Sequence, residues 1–226
     1  MTLALLNSIT LITGSSPDSR DFGTGFVIHQ DDSFTYLLTC AHVVKDVSRK
    51  GNNIIVGGLP ATVAAMGEEN GFDLAVLKVE GLWDKKPLKL RKLGEKDKSF
   101  VAAGFSLFDK LYLLRTVVGE LGSAITLESP IQKARTRAWE LKIQGENYLQ
   151  SGYSGSPVID EVSNCVLGVI SHKEGTGEKG LAISVEALEK IWQEMPLFLL
   201  QGKQGLFLRS FLWVGDKVIR WIEANA

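Results

Sequence analysis

Two cysteines in 226 residues, Cys40 and Cys165, are too few for a disulfide framework, and they lack metal-ligand spacing. Both lie beside apolar runs and read as buried free thiols. Charge of either sign is not in excess. The 25 basic and 26 acidic residues leave a net charge of −1, so no global field draws the chain to nucleic acid or anionic lipid. No uninterrupted apolar run approaches the roughly 20 residues of a membrane span. The longest candidates, near Pro196–Leu200 and Leu206–Trp213, are broken by Gly, Gln, Lys and Arg. No basic residue precedes the apolar N-terminus and no processing site follows it, so a secretory leader is not expected. With the reduced thiols, this points to a cytoplasmic setting. No Cys/His/Asp cluster has ligand spacing and no Gly-rich phosphate loop ends in Lys-Ser/Thr, so neither metal nor cofactor is expected. There is no internal repeat and no low-complexity tract.

What is present is a β pattern. From Ser8 to about Val185, short apolar runs alternate with Gly, Asp, Asn and Ser, and a helical period is missing. The candidate strands are Ser8–Thr13, Gly25–His29, Tyr36–Thr39, Asn53–Val56, Thr62–Met66, Leu74–Val79, Phe100–Phe105, Leu113–Glu120, Ala124–Leu127, Ala138–Ile143, Pro157–Asp160, Val166–Ser171 and Leu181–Ile183. So many short strands suit an all-β sandwich or barrels. The lysine-rich segment Trp83–Lys98 reads as a crossover between two halves. After Ser184 the period changes: Val185, Leu188, Ile191 and Trp192 fit a helix, and a second is expected over about Leu206–Ala224. The expected organisation is residues 1–90, 91–184 and a helical tail, 185–226, packed on the body.

The chemistry centres on Gln150-Ser151-Gly152-Tyr153-Ser154-Gly155-Ser156-Pro157, a serine between glycines at the entrance to an apolar strand. Glycine on either side lets the chain turn sharply and gather N–H groups near one point, as an oxyanion requires. A serine hydroxyl needs a base, and the base an orienting carboxylate. Only three histidines exist: His29, His42 and His172. His42 stands where Leu37-Leu38-Thr39-Cys40 gives way to a helical turn; the bland alternative is a histidine satisfied by backbone. Asp73 stands at the mouth of the strand Leu74–Val79, where a carboxylate must be paired; the bland alternative is a turn aspartate.

Taken together, Thr-Cys-Ala-His-Val-Val, Asp-Leu-Ala-Val-Leu and Gly-Tyr-Ser-Gly-Ser-Pro, in the order His, Asp, Ser, resemble the chymotrypsin-like (trypsin-like) serine peptidases. The nearer likeness is to the bacterial branch with Gly-x-Ser-Gly-Ser-Pro, which includes the glutamyl endopeptidases and the high-temperature-requirement peptidases. Gly23-Thr24-Gly25-Phe26-Val27-Ile28 and Leu167-Gly168-Val169-Ile170-Ser171 match that family's early Gly-rich strand and cleft strand. The resemblance implies two six-stranded antiparallel barrels with the site between them, His42 and Asp73 from the first and Ser154 from the second. It implies a serine endopeptidase, with an oxyanion hole at the N–H groups of Gly152 and Ser154 and with Ser171 beside Asp73. It places Tyr148, Leu149, Gln150, Ser151, Ser171, His172, Lys173 and Gly180 around the substrate.

Two features depart from the family. Tyr153 stands where zymogen-type members carry an aspartate that pairs with a new N-terminus, so activity independent of N-terminal cleavage is expected. Tyr148 stands where an aspartate would select Arg or Lys, which leaves a small or apolar pocket or, through His172 and Lys173, an acidic preference. The expected partner is a protein or peptide substrate, with a regulatory protein or fused domain also implied. The alternative is a catalytically silent module that binds an extended peptide in the cleft.

Overall fold

Runs such as Ile9-Thr10-Leu11-Ile12-Thr13 are mostly β-branched and alternate in burial from Thr10 on, which favours a pleated surface over a helix. The computed structural model describes residues 3–16, 19–129 and 133–200. A short helix that the sequence pattern does not announce, α1 (Leu3–Ser8), leads into β1 (Ile9–Gly14). The first half continues with β2 (Phe22–Gln30), β3 (Thr35–Thr39), α2 (Ala41–Val47), β4 (Ile54–Val56), β5 (Leu59–Met66) and β6 (Ala75–Val79). These strands close into a barrel in the order β1-β2-β3-β6-β5-β4.

The second half holds β7 (Ser99–Phe108), β8 (Leu111–Ser129), β9 (Ala134–Gln144), β10 (Pro157–Asp160), β11 (Val166–Glu174) and β12 (Lys179–Ser184). It closes as β10-β11-β12-β9-β8-β7. All pairings between named strands are antiparallel. Closure leaves neither sheet with an open edge. The two runs Leu113–Glu120 and Ala124–Leu127 prove to be one strand, β8. The Gly122-Ser123 step that reads as a turn is instead absorbed as a register shift between Leu121 and Ala124, and pairing with β9 resumes beyond it.

Phe26, Leu37, Leu38, Leu74 and Leu77 are fully buried in the first half, and Phe100, Leu121, Leu141 and Val158 in the second. Each side chain of this kind contributes about 1.5–3 kcal/mol. The expected crossover is an irregular strap. Leu88 N–H donates to Val27 O at 2.9 Å, Val166 N–H to Lys89 O at 2.8 Å and Arg91 N–H to Val166 O at 2.9 Å, so the strap ties one barrel to the other.

After β12 the chain makes a 3-10 turn, Val185–Ala187, whose Glu186 N–H is accepted by the Ser184 side chain, and then α3 (Leu188–Ile191). Val185, Leu188 and Trp192 are buried against the body, as their spacing predicts. The helix expected over Leu206–Ala224 lies outside the described residues. Both cysteines are free, but only Cys40 is buried; Cys165 is partly exposed. No helix among the described residues is long and apolar enough to cross a membrane.

Candidate active site

Helix α2 begins without a cap of its own: Cys40 is extended at φ −89 and ψ 148 and its side chain bonds none of the first-turn N–H groups. Asp73 does that work from the loop before β6. Its Oδ1 accepts the His42 backbone N–H at 2.9 Å, and its Oδ2 accepts the His42 Nδ1–H at 2.7 Å. An ionised carboxylate only accepts, so the proton of neutral His42 sits on Nδ1 and Nε2 is left with a lone pair. Ser171 Oγ also donates to Asp73 Oδ2, at 2.5 Å. Asp73 is 1% exposed between the fully buried Phe72 and Leu74, and three donors offset a desolvation that would otherwise cost several kcal/mol.

Burial pulls the His42 imidazole down. The hydrogen bond to Asp73 and the negative charges of Asp73, Asp46 and Glu69 outweigh it, and its pKa stands above the ordinary 6.5.

Ser154 comes from the loop before β10, between Gly152 at φ +97 and Gly155 at φ +90. No other residue type fits either place. A Cβ on Gly152 would sit 2.1 Å from the Phe22 ring, and one on Gly155 would sit 1.8 Å from Thr24 O. Ser154 Oγ donates to Ser171 O at 3.0 Å, and no hydrogen bond joins it to His42 among the described residues. The backbone N–H groups of Gly152 and Ser154 have no acceptor among the described residues. Ser154, His42 and Gly152 all line one open cleft of about 360 Å³, with Phe22, Leu149, Ser171 and His172. A second hollow, about 110 Å³ and bordered by Arg91, Lys98 and Asp160, carries neither serine nor histidine.

Residues 23–169 match the model of a trypsin-like peptidase domain. The chain belongs to the trypsin-like peptidase family, whose members are serine endopeptidases. Among solved structures it is similar to the Rv3671c protease of M. tuberculosis in its active form, at 23% identity and TM-score 0.64, covering 88% of this chain and 85% of that one. It is similar to an inactive form of the same protease at 25% identity and TM-score 0.61, covering 83% and 90%. A serine endoprotease from Yersinia pestis aligns at 18% identity and TM-score 0.57, covering 83% of this chain and 63% of that one. No match was found among the curated proteins.

In this peptidase the remaining expected substrate residues are placed unevenly. Leu149, Gln150, Ser151, Ser171, His172 and Lys173 line the cleft; Tyr148 and Gly180 do not. Tyr148 is 42% exposed. Gly180 is covered by Leu149, whose Cδ1 lies 2.5 Å from where a Gly180 Cβ would stand. Both rim side chains are engaged locally. Ser171 Oγ gives its proton to Asp73 and so accepts from His172 Nδ1 at 2.6 Å, while Lys173 Nζ donates to Gly175 O at 3.3 Å.

The sequence spacing hides one cluster: donor atoms of Cys40, His42 and Asp73 lie within 4.8 Å of one another. They do not fit a resident cation. Burial, then the Asp73 charge, hold the Cys40 thiol well above its ordinary pKa, and it donates to Ile170 O at 3.2 Å. His42 and Asp73 are spent on each other. Two further residues carry no sequence motif of their own: Phe22 on the cleft wall and Thr24, whose side chain is 0% exposed and bonds the second barrel. Thr24 stands in Gly23-Thr24-Gly25, where the flanking glycines are the stronger pattern.

Proposed function

We propose that the peptidase cleaves peptide bonds in a protein substrate through an acyl-enzyme on Ser154, with His42 as the base and Asp73 as the residue that orients it. Rotation of the Ser154 side chain exchanges the Ser171 carbonyl for His42 Nε2, whose lone pair takes the hydroxyl proton as Oγ attacks the carbonyl. His42 then returns that proton to the leaving amine, and a water repeats the sequence on the ester. The N–H groups of Gly152 and Ser154 receive the oxyanion; in enzymes of this type, loss of one such donor costs about 10²–10³ in rate.

The observation that carries the reading is the pair of hydrogen bonds from His42 to Asp73, which leaves Nε2 as the unbonded nitrogen of the His42 ring in a cleft that also holds Ser154. A turn aspartate or a backbone-satisfied histidine would not need that arrangement. The covered Gly180 and the local engagement of His172 and Lys173 favour a small or apolar side chain before the cut bond over an acidic one. A regulatory partner or attached domain would act by setting the Gly152-Tyr153 segment.

A silent peptide-binding module is the second reading, and one observation favours it: Ser154 Oγ is bonded to Ser171, not to His42. A fluorophosphonate separates the two. The peptidase is labelled once, and Ser154→Ala is not. A folded sample that resists labelling would leave the binder standing.

A further inference from the structure

We infer that Thr24, a first-barrel residue, is the positioning residue that holds the oxyanion loop of the second barrel in working order. The inference rests on the reading of Ser154, Gly152 and His42 given above.

Thr24 is fully buried, and every polar group it has is committed. Its Oγ1 accepts the Phe105 N–H at 2.9 Å, so its own proton goes to Gly152 O at 2.7 Å. Its backbone N–H donates to Ser154 O at 2.9 Å, and its carbonyl accepts from Thr39 Oγ1 at 2.7 Å. One residue therefore grips the carbonyls on both sides of Tyr153-Ser154.

Each gripped carbonyl shares its plane with the next N–H, that of Tyr153 or Gly155, so Thr24 acts on the oxyanion N–H groups by anchoring the two residues that carry them, Gly152 and Ser154. The Gly152–Tyr153 peptide is held at its oxygen by Thr24 and at its nitrogen by Gln150 O, 3.2 Å away. The Tyr153–Ser154 peptide is held at its oxygen by Ser156 N–H at 2.9 Å, which points the Ser154 N–H the other way. Without the Thr24 hydroxyl, Gly152 O loses its partner in a buried place. Because glycine has no steric preference to hold it, the Gly152–Tyr153 peptide can then turn, and the Gly152 Cα, no longer anchored on that side, can shift together with the Ser151–Gly152 peptide that carries the Gly152 N–H. Zymogen-type members fix this loop with an ion pair to the residue before the nucleophile. Here that residue is Tyr153, which has no carboxylate, and the hydroxyl bond from the neighbouring barrel supplies the restraint.

The test compares Thr24→Val, which keeps the shape and removes the hydroxyl, with Thr24→Ser, which keeps the hydroxyl. Three quantities are read for each folded variant: kcat/KM on a peptide substrate, affinity for a peptide boronate that forms a tetrahedral adduct, and affinity for an uncleaved peptide in a Ser154→Ala background. Misplacing a reacting group by about 1 Å typically costs about 10²-fold. Thr24→Val should lose about that factor in kcat/KM and in boronate affinity while the uncleaved peptide binds as before. Thr24→Ser should stay within a few-fold of the parent on all three.

A folded Thr24→Val with undiminished kcat/KM overturns the inference, as does a parallel loss of peptide affinity. Should Thr24→Val not fold, Thr24→Ala and Thr24→Cys are read in the same way. If only the hydroxyl-bearing variants fold, Thr24 has a structural role alone and the inference also falls. Failure of the parent enzyme to react with a fluorophosphonate would instead sink the proposed function, so the two failures are distinct.

Discussion

Asp73 holds His42 by two separate groups, accepting its backbone N–H at 2.9 Å and its Nδ1–H at 2.7 Å. One carboxylate thus caps α2 and sets the imidazole tautomer, which couples the start of the helix to the chemistry. Asp73→Asn separates these tasks. The asparagine oxygen still accepts one donor, but its NH₂ cannot accept the Nδ1 proton, and the ring is driven to the tautomer that cannot take the serine proton. Losses of about 10⁴ in kcat follow that substitution in triads of this kind. The expected outcome is a drop of that order with the circular dichroism spectrum unchanged; activity within 10-fold of the parent would mean Asp73 is only a cap.

The His42 pKa gives a pH dependence with a definite sign. Burial lowers it, while Asp73, Asp46 and Glu69 raise it further, so the net shift is upward from 6.5. In the proposed mechanism His42 must be neutral to act as base, so kcat/KM is expected to fall as pH drops through a value above 6.5. Neutralising the cleft-lining acids Asp46 and Glu69 with Asp46→Asn and Glu69→Gln moves that limb toward lower pH. The stability linkage runs the other way. A raised folded-state pKa contributes stability that is fully present below the unfolded value and lost as pH rises through the folded one. Titrating kcat/KM and the melting temperature on the same samples checks both signs; an acid limb that stays put in the double variant would remove the two surface carboxylates from the account.

Much of this was legible because it depends on local patterns. Short β-branched runs between glycines and polar residues become strands whatever their partners are, and His42, Asp73 and Ser154 each stand beside such a run. The bulge at Gly122-Ser123 was not legible: the same dipeptide serves a turn or a bulge, and only the ladder to β9 decides. Helix α1 was also hidden, since the six residues Leu-Ala-Leu-Leu-Asn-Ser are too few to show a period. The deepest gap was Thr24, whose importance lies in Gly152 and Phe105, 128 and 81 residues away. Nothing in a buried strand threonine signals contacts so distant in the chain.

Tyr153 is 2% exposed and packs with Phe100, Leu141 and Val158 in the core of the second half. Burial pushes its phenol up to about 12, against a small pull from Arg115, so it remains uncharged near neutrality. A side chain held this way needs no ion pair with a cut N-terminus. A folded tag fused ahead of Met1 should therefore leave kcat/KM within about two-fold of the untagged enzyme. Tyr153→Ala should lower stability by about 3 kcal/mol or more, the usual cost of emptying an aromatic site. An extended chain that is inert until trimmed would contradict this.

In the proposed reading Leu149 sets the depth of the specificity pocket. It is 1% exposed and fills the space over Gly180, with its N–H donating to Gly177 O at 3.0 Å, so a long or charged side chain meets an apolar wall. His172 Nδ1 is turned to Ser171 and Lys173 Nζ to the Gly175 carbonyl, away from a side chain that would enter over Leu149 in the proposed reading. Profiling on a peptide library should show enrichment of small or apolar residues before the cut bond. Leu149→Ala removes three carbons from the wall and should shift preference toward Met or Phe over Ala by about 10-fold or more, since one methylene in such a pocket is worth about 10–200-fold. Enrichment of Glu or Asp in the parent would mean that substrate releases His172 or Lys173 from its present partner and that charge, not volume, selects the residue.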